Sequence, residues 1–177
     1  MKLDTVETDR LRLRQVRESD AASVAALVTP SVSQWTATWP PALSVKAAHS
    51  RLKSVIEYEK LGLAVAFAIE RKSDDVLLGL SGIYRKKLED KRCSFGYWLG
   101  EPFHGKGYMS EAAAEIIRLT WSLLDVDVIE AGAQAENIAS IAILRKLGMH
   151  CIGTRIEYAP VRNRDEACVY FEISRPT

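Results

Sequence analysis

The stretch with the clearest chemical capacity is Trp98-Leu99-Gly100-Glu101-Pro102-Phe103-His104-Gly105-Lys106-Gly107-Tyr108-Met109-Ser110, where three glycines separate a strand-like run from a helix start. Glycine lets backbone approach a ligand closely, and the free N–H groups at a helix N-terminus carry a positive dipole, so the arrangement suits a pyrophosphate. Lys106 adds a full positive charge to it. The two common phosphate signatures are absent: no G-x-x-x-x-G-K-[ST] occurs, and no third glycine completes G-x-G-x-x-G after Gly107. A P-loop or dinucleotide fold is therefore disfavoured, and an isolated pair such as Gly105 and Gly107 also serves as a tight turn. A second segment, Asn137-Ile138-Ala139-Ser140, places an N-capping asparagine and a first-turn serine at another helix start.

Several elements must position these residues. Residues 11–16 alternate apolar and polar, the period of a half-buried strand, and Glu18-Ser19-Asp20 caps a helix running to Leu27. Two tryptophans and tandem prolines make residues 35–41 a structured loop, and Ser44 caps a helix over 45–60 with Ala48, Leu52, Val55 and Ile56 on its apolar stripe. Strands at 63–71, 76–84 and 93–99 form an antiparallel meander. Ala113, Ile116, Ile117, Thr120, Leu123 and Leu124 then define an amphipathic helix. A strand at 128–135, a helix at 138–147 closed by Gly148, and strands at 149–158 and 167–173 complete the chain. The helix between strands 93–99 and 128–135 is long enough for a crossover, which makes those strands parallel and their connection right-handed. Both helix N-termini then open on the crevice at the carboxyl ends of those strands. The expected fold is α/β, a single domain over 1–177 with a mixed, mostly antiparallel sheet of about seven strands flanked by helices.

The segments GYWLGEPFHGKGYMSEA (96–112) and NIASIAILRKLGM (137–149), with the opening TDRLRLRQVRESDA (8–21), resemble the GNAT superfamily of acetyl-CoA-dependent N-acetyltransferases. Within it the chain is similar to the RimJ/RimL-like branch of ribosomal-protein N-terminal acetyltransferases, over nearly its whole length. The superfamily's coenzyme A loop, Q/R-x-x-G-x-G/A, falls on residues 104–109, where Gly107 matches while His104 and Met109 depart from the pattern. The resemblance implies a parallel strand pair splayed at the cofactor site. It implies that the backbone amides of His104, Gly105, Lys106, Gly107, Tyr108, Met109 and Ser110 bind the coenzyme A pyrophosphate, and that Trp98 and Leu99 pair with the pantetheine arm. It further implies that Asn137 hydrogen-bonds the pantetheine and that Ser140 lies near the thioester sulfur.

Transfer of an acetyl group from a thioester to an amine needs an unprotonated amine, a stabilised oxyanion and a proton for the departing thiolate. The expected route is direct attack, with the Leu99 N–H or a neighbour at the oxyanion and Ser140 donating to the thiolate; otherwise Ser140 merely caps backbone. Glu157 is the candidate base, because RimL-like enzymes place an acidic group on the strand after the Ser140 helix, and Glu130 on the central strand is the alternative. His150 reads as a strand residue, and Trp35 and Trp39 as acceptor-pocket walls or core anchors. No His, Cys, Asp or Glu cluster has metal-ligand spacing, so no metal is expected.

Composition bounds the partners. The chain has 177 residues, 47% hydrophobic and 27% charged, in keeping with one compact domain. A net charge of +1 argues against a footprint for duplex nucleic acid or an anionic membrane. Three scattered cysteines, a charged start with no apolar leader, and a longest apolar run at 61–69 far short of the roughly 20 residues of a membrane span together indicate a cytoplasmic protein. The acceptor is expected to be a protein N-terminal α-amine or a small-molecule amine, and a polycationic one would want a carboxylate-lined pocket. The alternatives are a catalytically inactive acyl-CoA-binding module acting through a partner, or a generic nucleotide binder, and the chain is expected to be a monomer or homodimer.

Overall fold

The computed structural model describes residues 5–176; residues 1–4, on which part of the N-terminal reading rests, lie outside them. One sheet runs through the chain in the order β1-β2-β3-β4-β5-β6-β8-β7. Its strands are β1 Val6–Glu7, β2 Leu11–Gln15, β3 Ala64–Arg71, β4 Val76–Tyr84, β5 Arg92–Leu99, β6 Val128–Gln134, β7 His150–Ala159 and β8 Arg164–Ser174. The helices are α1 Ala21–Leu27, α2 Pro30–Ser33, α3 Val45–Lys60, α4 Tyr108–Leu123 and α5 Ile138–Lys146.

Alternation along the strands sorts the apolar side chains into two cores. Leu13, Phe67, Phe95, Ile129 and Phe171 pack on one face against Met109, Ala112 and Ile116 of α4 and Leu144 of α5. Ala66, Leu80 and Trp98 face the other way, against Val24 of α1 and Ala48 and Leu52 of α3. Ser44 opens α3 by accepting the Ala47 N–H at 3.1 Å. The corner after β2 is fixed by a buried ion pair, Arg14 bonding both oxygens of Asp20 at 2.9 and 2.8 Å and Glu70 at 2.6 Å.

Every pairing is antiparallel except β5 with β6, where α4 carries the chain over the sheet to a parallel neighbour. That pair holds register only at Arg92↔Val128, Cys93↔Ile129 and Ser94↔Glu130, after which the strands part.

The sheet has eight strands where the sequence indicated about seven. The additional one is Val6–Glu7, whose two residues are too few to display a period; it pairs with Leu13 and Arg12 across the turn at 8–10. A second unforeseen element is α2, started by Pro30 at its first turn. The last strand begins at Arg164 rather than 167, because the charged residues 164–166 continue the ladder to β7 through Glu157↔Glu166 and Ala159↔Arg164.

Candidate active site

The glycine loop ends as the sequence indicated, at a helix N-terminus. Gly107 caps α4 with φ 78° and Gly105 has φ 71°, both left-handed conformations that glycine adopts without a Cβ penalty. The N–H groups of the first α4 turn have no intrahelical carbonyl to bond, so they point outward as donors. A side chain absent from the sequence reasoning braces this loop. Arg10 bonds Glu111 through its backbone N–H at 2.8 Å and Nε at 2.7 Å, donates to the Lys106 carbonyl at 2.9 Å, and stacks its guanidinium 4.6 Å from the Tyr108 ring centroid. Burial pushes the Glu111 carboxyl up, but the bonds from Thr8 and Arg10 outweigh it and hold the group below its ordinary value.

At the second helix start, Asn137 Oδ1 accepts the Ser140 N–H at 3.1 Å, the expected cap. The Ser140 hydroxyl does not cap backbone; it lies 2.8 Å from the Tyr97 hydroxyl. Sequence reasoning missed Tyr97. Alternation does place it with Phe95 and Leu99 on the α4–α5 side of β5, but its partner lies 43 residues away. Burial pushes the Tyr97 phenol up to about 12, and the Ser140 bond offsets this only in part. This hydroxyl pair bridges the parting strands, one partner on β5 and the other on the helix that follows β6.

The backbone of β5 is also exposed to the gap. Gly100 N–H donates to the Leu78 carbonyl on β4, so antiparallel alternation turns the N–H and C=O groups of Leu99 and Tyr97 away from β4, towards the absent β6 partner. The Leu99 carbonyl bonds the His104 ring at Nε2, 2.8 Å away, so His104 secures the strand end.

A cavity of about 1060 Å³ passes through this gap and opens on both faces of the sheet. Its α4–α5 side is walled by residues of the glycine loop and by Asn137, Ser140 and Ile143. Its α3 side is aromatic: Trp39 meets Trp98 edge-on at 5.4 Å, and Trp35, Tyr58 and Tyr84 share the wall. Trp35 and Trp39 are thus both wall residues, Trp39 also packing on the α3 core. Trp98 Nε1 is buried and has no hydrogen-bond partner among the described residues. The loop carrying both tryptophans is held by Arg162, which donates to the carbonyls of Ser33 and Thr36 at 2.8 Å each and pairs with Glu166. Arg162 above all, joined by Arg164 and Gln134, lowers the Glu166 carboxyl to about 2.

The candidate bases lie outside this wall. Glu157 accepts the Tyr170 hydroxyl at 2.8 Å, and the Tyr170 ring covers Gly132, which is on the wall. Glu130 makes a two-point ion pair with Arg155 at 2.7 and 2.9 Å. His150 is an exposed strand residue 3.4 Å from Glu172. Among the described residues no group of three or more His, Cys, Asp or Glu side chains could hold a metal, and no helix is long and apolar enough to cross a membrane.

The family model described as acetyltransferase (GNAT) domain matches residues 10–150. The uncharacterized N-acetyltransferase p20 of Bacillus licheniformis is 29% identical over 163 residues, 92% of this chain and 91% of that protein. The [ribosomal protein uS5]-alanine N-acetyltransferase of Escherichia coli (strain K12) is 26% identical over 159 residues, 85% of this chain and 80% of that one. Among solved structures, RimL, a ribosomal L7/L12 alpha-N-protein acetyltransferase in complex with coenzyme A, superposes with a TM-score of 0.86 at 19% identity, covering 97% of this chain and 98% of that one.

Proposed function

The chain belongs to the GNAT acetyltransferase family and is an acyltransferase enzyme, and on that premise we propose that it transfers acetyl from acetyl-CoA to a primary amine by direct attack in the cytoplasm. The amine is the α-amine of a protein N-terminus, as the name of the relative acting on the alanine of ribosomal protein uS5 has it for that protein, or that of a small molecule. The observation that carries this reading is the opening of the α4 and α5 N-termini on one gap between parting parallel strands.

The residues present fit coenzyme A. The His104 N–H, expected among the pyrophosphate donors, is taken by the Glu101 carbonyl at 3.1 Å; residues 105–110 offer unbonded amides and two left-handed glycines for a pyrophosphate, and the outward-facing Leu99 N–H and Tyr97 backbone offer a strand edge to the amide-bearing pantetheine. Acetyl-CoA supplies the acetyl group in activated thioester form. Tyr97, and not Trp98 as the resemblance implied, pairs with the arm along β5, because the Trp98 backbone is bonded to β4; Leu99 flanks it, and Asn137 at the head of α5 bounds it from the other strand. The Leu99 N–H, turned into the gap, donates to the oxyanion as it develops. Ser140 holds the proton for the departing sulfur, and Tyr97, which stays protonated through the neutral range, orders that hydroxyl and can resupply its proton. Glu157, which accepts the Tyr170 hydroxyl behind Gly132, receives the amine proton by way of solvent.

Thiol release from acetyl-CoA in the presence of an amine panel tests the reading. Amine-dependent release that fails with Ser140→Ala supports it; binding of acetyl-CoA with no transfer to any amine supports an inactive acyl-CoA-binding module instead.

A further inference from the structure

The α3 side of the cavity has a distinctive chemistry. Among the described residues no Asp or Glu is on the wall, while Arg51 and Arg85 are. Neither donates to a carboxylate there, although the Arg85 charge is felt at Asp125. Arg51 lies 5.3 Å from the Trp39 ring centroid, and Arg85 donates to the neutral carbonyls of Gly62 at 2.9 Å and Leu88 at 2.8 Å. Glu59, a carboxylate of the same helix, accepts the Ala66 N–H at 2.8 Å and is not on the wall. Trp98, Trp39 and Arg51 form a row leading away from β5, with successive separations of 5.4 and 5.3 Å. The Tyr84 ring, also on the wall, folds back over Gly82, where a Cβ would come within 2.5 Å of the phenol oxygen, so glycine at that position makes room for the ring.

Resting on the acetyl-transfer function proposed above, we infer that the acceptor is a primary amine with an aromatic or apolar body and an anionic group at its far end, carrying no second cation. The amine reaches the thioester beside β5, the body lies between the Trp39–Trp98 pair and Tyr84, and the anion accepts hydrogen bonds from Arg51. A guanidinium over an aromatic face and free of carboxylates is a strong partner for a carboxylate or a phosphate. A second ammonium on the acceptor finds no carboxylate on the wall itself, Glu59 lying behind Ala66 and Tyr84. A polyamine is thereby expected to be a poor substrate.

The test uses 2-phenylethylamine and its derivatives bearing a para carboxylate, phosphate ester or aminomethyl group, with thiol release from acetyl-CoA as the readout. At least one anionic derivative is expected to exceed the parent at least tenfold in kcat/KM, and the dication to fall at least tenfold below it. The carboxylate and phosphate arms identify which anion Arg51 takes. Arg51→Gln is expected to erase the anionic advantage through KM, and Arg85→Gln, beyond the end of α3, to leave it in place; the acetyl-CoA-induced rise in Tm of each variant shows that it is folded. A dication as good as the anions, an anionic preference that survives Arg51→Gln, or no turnover of any compound while acetyl-CoA still raises Tm overturns the inference. No rise in Tm of the unaltered protein with acetyl-CoA overturns the proposed function, and this inference with it.

Discussion

Ser140 has two separate tasks in the structure. Its N–H completes the Asn137 cap of α5, and its hydroxyl is committed to Tyr97 across the strand gap, so removing the oxygen leaves the helix cap intact. Ser140→Ala is therefore expected to lower kcat by about 10²-fold or more, the scale of a general acid, while acetyl-CoA affinity and Tm change little. Tyr97 adds a pH signature: with its phenol pushed up to about 12, the pair keeps its protons and activity shows no loss from this source below about pH 10. Glu157→Gln separates a base from a structural carboxylate. With the amine proton passing to Glu157, kcat/KM falls while the Kd of acetyl-CoA is unchanged; an unaltered kcat/KM removes Glu157 from the reaction. Asn137 and Ser140 were legible because their signal is local, a cap and a first turn within four residues of sequence. Tyr97, Arg10 and Arg51 were not, because each acts through a partner on a distant element that no spacing rule connects.

At the scale of elements, periodicity exposed most of the fold, since each long helix and strand buries one face and repeats its apolar residues accordingly. It failed where an element is too short to show a period, as in Val6–Glu7 and Pro30–Ser33, and where charged residues occupy ladder positions, as at 164–166. Those charges prove structural for the site. Arg162 ties the β7–β8 turn to the loop that carries Trp35 and Trp39, through two carbonyls and Glu166. Arg162→Ala is expected to raise KM for the amine several-fold with the Kd of acetyl-CoA unchanged, which steady-state kinetics and a direct binding titration check. An equal loss of affinity for both substrates would show that the loop and the cofactor gap are not separable.

Over the whole molecule, two cores on opposite faces hold a sheet that is open at one seam, and the seam is where the cavity passes through. The parallel pair was legible from the crossover helix between two strands, and its parting only through the family resemblance. The seam's lining was not, because sequence alternation states which face a residue takes and not what converges there. Stability follows the ion pairs that close the far half of the sheet. The Glu166 carboxyl, lowered from 4.5 to about 2, contributes stability that is fully present at neutral pH and is lost as pH falls from about 4.5 through 2. Acid unfolding of Glu166→Gln is accordingly expected to show a shallower loss over that window than the unaltered protein, read by Tm against pH.

The most direct measurement is a thermal-shift titration with acetyl-CoA, coenzyme A and ATP, on the unaltered chain and on Gly107→Ala, whose new Cβ strains the left-handed cap of α4. A ligand at about 100 times its Kd stabilises the native state by about 2.7 kcal/mol, roughly 5 to 10 °C in Tm for a chain of this size. The expected result is that rise with acetyl-CoA and coenzyme A, none with ATP, and a clearly smaller rise for Gly107→Ala at the same ligand concentration. No rise with either coenzyme at millimolar concentration, or an equal rise with ATP, would contradict the assignment of the β5–β6 seam as a coenzyme A site.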